Sequence, residues 1–245
     1  MNKIFHLFLV KPIFNFLIII YNFLPWPDIG LATVILTFLI RLIFFPFFYK
    51  GTKQQILVNK LQPALKKIQE EYKDDKEKMV KAQLALYKKH KVNPFSGCLL
   101  ALVQLPIILA VYRVFLLGFS PERMADLYSF VSPPASLNPF FLGLINLTKP
   151  NFFLAFLAAL LQYYSSKMMI PSSGNREEPT QRMAMLFQKQ MLYFTPIMTL
   201  IILVPLPSIV ALYWLATTFF TLLQQIFIQK NLKVEFSQEK NGGNH

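Results

Sequence analysis

The apolar residues of this chain fall into long blocks that polar segments separate. A helix that crosses a hydrocarbon layer of about 30 Å needs roughly 20 mostly apolar residues. The blocks found are of this order, and each holds at most one charged residue, so the pattern predicts five membrane-spanning helices. They lie at about 29–49, 95–118, 151–167, 191–204 and 208–228.

The first apolar segment, residues 4–24, is less regular because it carries Lys11, Pro12 and two asparagines. Two interpretations fit: a helix lying in the membrane interface, or a first true span. The Lys11-Pro12 pair in the middle of the segment favours the interfacial helix. Residues 25–28 (Pro-Trp-Pro-Asp) then supply a break and an aromatic anchor where the next span begins.

Residues 50–92 are strongly polar, with twelve lysines against five acidic residues. Apolar residues recur at helical spacing on both sides of a polar turn at 73–76, and Pro63 is expected to bend the first arm. The pattern predicts an antiparallel helical hairpin with one apolar stripe on each arm. The predicted stripes are Leu57, Leu61, Leu65 and Ile68, then Val80, Leu84 and Tyr87.

Composition and charge agree with a membrane protein and indicate its orientation. The mean hydropathy is +0.42, the chain has 25 phenylalanines, and its net charge is +13. Nineteen of the 25 basic residues lie in the hairpin, the loop near 167–189 or the C-terminal tail. The positive-inside rule makes these regions cytoplasmic and puts the segment from Phe119 to about Pro150 on the outer side.

Arg41 is the exceptional residue of the first confident span. Every other side chain from 31 to 48 is apolar apart from two threonines. At 1.5 Å per residue, Arg41 is roughly 17 Å from Gly30 and roughly 14 Å from Lys50, near the midplane of the bilayer. A cation at that depth costs about 2.5 to 3.5 kcal/mol, so it normally faces a bundle interior or a water-filled cavity. The alternative is an arginine that snorkels to the headgroups.

The predicted spans lack the residues that several membrane activities require. They contain no Asp or Glu, and the three histidines (6, 90 and 245) lie outside the confident spans, which argues against ion-coupled transport. No intramembrane protease pattern and no nucleotide-binding glycine motif is present. We therefore expect neither an enzyme nor a protein with a cofactor, a metal or a small-molecule substrate.

Four motifs follow one another along the chain. They are an arginine-bearing span that ends in proline (Thr37 to Pro46), Leu61-Gln62-Pro63, the block Asn93-Pro94-Phe-Ser-Gly97-Cys98 followed by Gln104-Leu-Pro106, and Leu212-Tyr213-Trp214. In this order they resemble the YidC/Oxa/Alb membrane protein insertases. Leu100, where the family usually has proline, and Thr218, where it usually has asparagine, are the visible departures.

The resemblance implies an all-α fold, a five-transmembrane-helix bundle of the short form without a large extracytoplasmic domain. With the patterns above, it gives the following organisation: an N-terminal interfacial helix (1–27), the core (28–228) with its cytoplasmic hairpin (50–92) and second cytoplasmic loop (168–190), and a disordered cytoplasmic tail (229–245).

The resemblance also implies a hydrophilic groove, open to the cytoplasm and to lipid, with Arg41 at its centre. The candidate lining residues are Gln104, Gln162, Trp214 and Thr218. For the two glutamines a hydrogen bond between helices fits equally well. For Trp214 the ordinary alternative is a packing or interface residue.

The implied function is insertion of nascent membrane proteins into the bacterial plasma membrane without nucleotide hydrolysis. The implied partners are nascent membrane proteins, membrane lipids and the ribosome in weak or transient contact, while cooperation with the Sec translocon stays open. A lipid scramblase or small channel would also use a polar groove with an arginine. A structural assembly factor would use the hairpin alone and should tolerate the loss of Arg41.

Overall fold

The computed structural model describes residues 3–116, 121–169 and 179–242. For residues 97–98, 101, 116, 121–122, 179–189, 191 and 233–242 it describes the backbone alone. Along the chain the helices are α1 (Lys3–Phe5), α2 (Lys11–Phe23), α3 (Ile29–Ile43), α4 (Phe45–Lys60), α5 (Gln62–Glu71), α6 (Lys76–Lys89), α7 (Ser96–Leu116), α8 (Pro121–Met124), α9 (Phe152–Met169), α10 (Pro179–Leu203) and α11 (Ser208–Gly242).

Two of the described helices are long and apolar enough to cross a membrane. They are the continuous N-terminal helix Lys3–Phe23, in which a π-helical turn joins α1 to α2, and Ser208–Leu232 within α11. A third candidate arises if α3 and α4 are counted as one bent span, and Leu102–Phe115 and Leu192–Leu203 are shorter apolar helices. The mostly helical fold is confirmed, and the five-span arrangement stays a prediction.

The predicted single span at 29–49 is interrupted. Asp28 caps α3 by accepting a hydrogen bond from the Leu31 backbone N–H at 2.9 Å, but the helix ends at Ile43. The physical reason is Pro46, which has no N–H to offer the carbonyl four residues earlier and whose ring clashes with that carbonyl. Arg41 therefore lies in the last turn of α3 rather than in the middle of a helix.

A first compact unit contains Met1–Phe44, Ala101–Gln162 and Pro196–Phe220. Its hydrophobic core joins the N-terminal helix, α3, α7, α9 and α11. The predicted outer segment contributes the one short β-hairpin among the described residues, β1 (Phe140–Phe141) paired with β2 (Ile145–Asn146) in antiparallel register. This hairpin corrects the strictly all-α prediction.

Close packing fixes this β-hairpin against α3. A Cβ atom at Gly30 would lie 2.4 Å from Cδ2 of Phe141, so only glycine lets the strand come this near. The Asp28 carboxylate accepts a second hydrogen bond, from the Leu142 backbone N–H at 2.6 Å. Asp28 thus caps α3 and attaches the tip of the β-hairpin to the start of that helix.

Hydrogen bonds join the N-terminal helix to residues 126–138 along most of its length, a contact we call the outer seam. The fully buried Asn15 accepts from the Tyr128 N–H at 2.7 Å and donates to the Asp126 carbonyl at 3.2 Å. The Tyr21 hydroxyl accepts from the Asn138 N–H at 2.8 Å. Nearer its start, His6 lies 3.3 Å from the Asp126 carboxylate.

The second compact unit contains Phe45–Leu100, Tyr163–Thr195 and Thr221–His245. In it α5 and α6 form the predicted hairpin, and the first arm breaks at Leu61, just before Pro63. The first apolar stripe faces inward around the buried Leu65. The second stripe is wrong at Val80 and Leu84, which are each 49% exposed, whereas its third member, Tyr87, is half-buried. The inward face of α6 carries neighbouring, half-buried positions such as Met79 and Leu86, an offset of about one position from the predicted stripe.

The Asn93-Pro94-Phe-Ser block forms the cap of α7. The Asn93 side chain accepts from the Phe95 N–H at 2.9 Å, and the Ser96 hydroxyl donates to the Asn93 carbonyl. Gln54 of α4 accepts from the Asn93 N–H at 3.0 Å. The Asn93 side chain stabilises the turn that precedes α7. Pro94 disfavours helical backbone at the residue before it, so the helix begins only after this turn.

Two loop predictions are also corrected. The second cytoplasmic loop, predicted at 168–190, includes the end of α9 and the start of α10, and its residues 170–178 lie outside the described residues. The tail predicted to be disordered from Gln229 continues α11 as far as Gly242. Extending an existing helix is much easier than starting one, and the tail has no proline and no glycine before Gly242.

Candidate functional site

Arg41 is half-buried in the first unit, one turn beyond Thr37 on α3. The hydroxyls of Thr33 and Thr37 each donate to the carbonyl one turn earlier at 2.7 Å, so these polar groups are engaged within the helix. A cation in the last turn also gains about 0.3 to 1 kcal/mol from the negative end of the helix dipole. The C-terminal end of α3 and the positive charge of Arg41 therefore stabilise each other.

Tyr213 of α11 lies near this cation and is only 3% exposed. The half-buried Gln104 of α7 donates from Nε2 to the Tyr213 hydroxyl at 3.4 Å. We call Arg41, Gln104 and Tyr213 the central polar cluster; it joins three helices of one unit.

Gln162 and Thr218 form a second polar contact, between α9 and α11. The Thr218 hydroxyl donates to Oε1 of Gln162 at 3.4 Å, and Thr218 is 4% exposed. Both predicted glutamines thus make hydrogen bonds between helices. That alternative is confirmed as a contact, and the lining of a groove stays a prediction.

Trp214 is half-buried and packs against the hydrophobic core of the unit, as its ordinary alternative expects. Successive residues of an α-helix point about 100° apart, so the side of α11 that carries Tyr213 differs from the side that carries Trp214. Sequence reasoning overlooked Tyr213 as a site residue. The available signal was its position inside the Leu212-Tyr213-Trp214 motif.

The chemistry that this arrangement offers is reversible binding. Both 3.4 Å hydrogen bonds exceed the usual range of about 2.5 to 3.2 Å, so exchanging them for another partner costs little. The cluster supplies a positive charge, an amide and a hydroxyl, which suit a carboxylate or a peptide group. Within the described ranges, no group of three or more His, Cys, Asp or Glu could hold a metal ion.

Long apolar helices are the features of a helical membrane protein. A family model described as "60Kd inner membrane protein" matches residues 19–236. The chain is 33% identical over 203 residues to "Membrane protein insertase YidC" of Fusobacterium nucleatum subsp. nucleatum, covering 83% of this chain and 87% of that protein. The chain belongs to this family of inner membrane proteins, the YidC/Oxa insertases.

Other relatives are longer. The insertase YidC of Pelagibacter ubique is 33% identical over 237 residues, which cover 94% of this chain but 40% of that protein. A solved structure described as "Active YidC insertase crystal structure with the first transmembrane domain resolved" aligns with a TM-score of 0.57 at 24% identity, over 86% of this chain and 45% of that one. The structural likeness supports the fold alone.

Two expectations from the sequence are settled by family membership. The resemblance drawn from the four motifs is confirmed. The chain is a member of an insertase family and not an enzyme.

Proposed function

We propose that this protein inserts nascent membrane proteins, using a hydrophilic groove centred on Arg41. The observation that carries the proposal is the central polar cluster, in which a half-buried cation lies near the buried Tyr213 and the bond from Gln104 to the Tyr213 hydroxyl is 3.4 Å long. Gln104, Gln162, Thr218 and Trp214 are the further lining residues that we propose.

The energetic role of the cation is to lower the barrier for a polar tail. Each charge that a client moves to the bilayer centre costs about 2.5 to 3.5 kcal/mol. A fixed guanidinium at that depth attracts an acidic tail, and the Gln104 amide and Tyr213 hydroxyl can hydrogen-bond its backbone. The barrier then falls for acidic tails more than for neutral ones.

The client supplies the driving force, so the proposed mechanism needs no nucleotide. About fifteen apolar residues at about −0.5 kcal/mol each give roughly −7 kcal/mol for a single transmembrane helix. Exposed aromatic side chains on α9 and α11, including Phe152, Phe156 and Phe227, would offer the client a lipid-like surface.

We further propose a bacterial plasma membrane location with the lysine-rich hairpin in the cytoplasm, where it meets nascent chains and, transiently, the ribosome. The outer seam supports the interfacial placement of the N-terminal helix. His6 and Asn22, near its two ends, both bond to residues of the same outer segment, Asp126 and Ser132. A helix that crossed the bilayer would carry one of these ends to the opposite face.

The test replaces Arg41 with Lys, Ala or Glu and measures insertion of a single-span client with an acidic tail into proteoliposomes. Lys should retain most activity and Ala should lose about tenfold, which corresponds to about 1.4 kcal/mol in the barrier. Glu should lose more, because it repels the tail. Lys performing no better than Glu would contradict the electrostatic role.

Two controls separate this proposal from the alternatives. Arg113→Ala, at the far end of α7, should leave insertion nearly unchanged, and a client with a neutral tail should respond less to each Arg41 variant. Lipid or ion flux in liposomes that hold the pure protein would favour the scramblase or channel instead.

A further inference from the structure

A cavity of about 820 Å³ lies on the outer side of the first unit, away from the central polar cluster. Its walls are the start of α3 at Ile29, the end of α7 at Phe115, the start of α11 at Ile209, and outer-segment residues 134–139. This volume is within the range of about 300 to 1,000 Å³ that small-molecule sites occupy. Nothing in the proposed insertion mechanism uses it.

The inner wall of this cavity is apolar. Ile29, Phe115, Leu147 and Ile209 are all at most 7% exposed, and none of the described lining residues is charged. Such a wall favours the binding of hydrocarbon. It disfavours a polar ligand, because the ligand would lose its hydrogen bonds to water.

Two polar side chains of the lining, those of Asn138 and Thr148, are already engaged within the protein. The Asn138 amide donates to the Pro27 carbonyl at 3.1 Å and accepts from the Phe140 N–H at 3.1 Å. The Thr148 hydroxyl donates to the Asn146 side chain at 2.7 Å. These bonds occupy the Asn138 and Thr148 side chains, so the apolar inner wall decides the ligand and favours an aliphatic chain.

The surroundings of the cavity indicate where such a chain comes from. Large apolar side chains are exposed in this layer of the unit, with Phe23 at 85%, Trp26 at 80%, Phe130 at 76% and Leu144 at 83%. Exposed aromatic residues beside apolar helices are typical of the boundary between hydrocarbon and headgroups. Ala135 is one of the exposed lining residues on the open side of the cavity, and we infer that this side opens into that boundary.

We propose that this cavity binds one acyl chain of a phospholipid from the outer leaflet. The inference rests on the outer placement of this segment in the proposed function. The bound chain would fill the space between α3, α7 and α11 and stabilise the outer seam, whose Tyr21 hydroxyl accepts from the backbone N–H of the lining residue Asn138. The polar tail of a client suits the site poorly, because its peptide groups would lose their hydrogen bonds to water.

The test uses full-length protein in proteoliposomes that contain a phospholipid with a diazirine at the end of one acyl chain. After irradiation, peptides around Phe115 and Ile209 should be labelled more strongly than the exposed, lipid-facing stretch from Phe152 to Phe156. Ala135→Trp, which blocks the open side, should lower labelling of the cavity peptides about tenfold, a loss of about 1.4 kcal/mol in affinity. Ala135→Ser is the matched control and should label like the unchanged protein.

The outcomes are decisive without any insertion assay. Equal labelling of the cavity and the Phe152 stretch, or equal labelling in Ala135→Trp and Ala135→Ser, would overturn the proposal. Ile209→Trp, which fills the cavity from within, provides a second variant should the first misfold. A photoreactive residue at position 135 that joins a nascent client instead of lipid would also overturn it. Failure of the Arg41 test alone would leave lipid labelling unaffected.

Discussion

The outer seam and the central polar cluster are both polar regions of the same apolar unit, yet their hydrogen bonds differ in length. The shortest bonds of the seam are those that Asn15 accepts from Tyr128 at 2.7 Å and Tyr21 accepts from Asn138 at 2.8 Å, and its other contacts extend to 3.3 Å. In the cluster, the bond from Gln104 to Tyr213 is 3.4 Å long. Both regions use side-chain amides and a tyrosine hydroxyl, so the difference between them lies in the geometry of the hydrogen bonds.

This contrast suggests a division of labour. Short bonds from buried side chains to backbone groups fix the N-terminal helix against the outer segment, and removing one leaves buried groups unsatisfied. Long bonds between side chains leave the cluster ready to exchange partners with a client. We therefore expect mutations in the seam to affect stability and mutations in the cluster to affect insertion.

The largest loss of stability is expected from Asn15→Leu. Leucine fills the space but leaves the partly buried Tyr128 N–H and Asp126 carbonyl without this partner, at about 1 to 3 kcal/mol for each group that water does not reach. Thermal unfolding in detergent should show a markedly lower midpoint, and limited proteolysis should cut faster within 121–140. Asn22→Ala is the matched control, since its bond to Ser132 is exposed and its loss should cost far less. Equal effects of the two variants would contradict a rigid seam.

A smaller loss is expected from Gly30→Ala. The new methyl group would meet the Phe141 ring, and overpacking of this kind typically costs about 1 to 3 kcal/mol. The double variant with Phe141→Ala removes the obstructing ring and should recover part of the stability lost by Gly30→Ala. No recovery in the unfolding midpoint would mean that the close approach does not hold the hairpin.

The smallest effect on stability is expected in the cluster. Gln104→Leu and Tyr213→Phe each break a hydrogen bond between helices that is worth about 0.6 kcal/mol in membranes. Their unfolding midpoints should stay close to that of the unchanged protein while client insertion slows severalfold. A variant that lost stability and kept its insertion rate would reverse the proposed division.

The sequence shows which residues are chemically unusual more readily than it shows how they are arranged in space. Arg41 is conspicuous in the sequence because burying a charge in a long apolar stretch is costly. The two glutamines are conspicuous because they are polar residues in apolar spans. Tyr213 is not, since a tyrosine among apolar residues is ordinary until the fold brings it to Arg41. Its role depends on the relative rotation of α3, α7 and α11, which no local pattern specifies.

Element boundaries failed where two local tendencies competed. The apolar pattern at 29–49 runs on through Phe44, whereas Pro46 ends the helix bonding there. The polar composition after Gln229 suggests disorder, whereas propagation from α11 and burial of Leu232 favour helix. On α6 several apolar residues alternate with lysines, so the spacing alone allowed the wrong face, the one with Val80 and Leu84.

The most direct test of the central claim is photocrosslinking to a stalled nascent client from two positions of the first unit. A photoreactive residue at Gln104 samples the cluster, and one at Asn22 samples the seam. We predict a strong adduct from position 104, reduced in the Arg41→Glu background when the client's tail is acidic, and none above background from position 22. Adducts from position 22 with none from position 104 would contradict it.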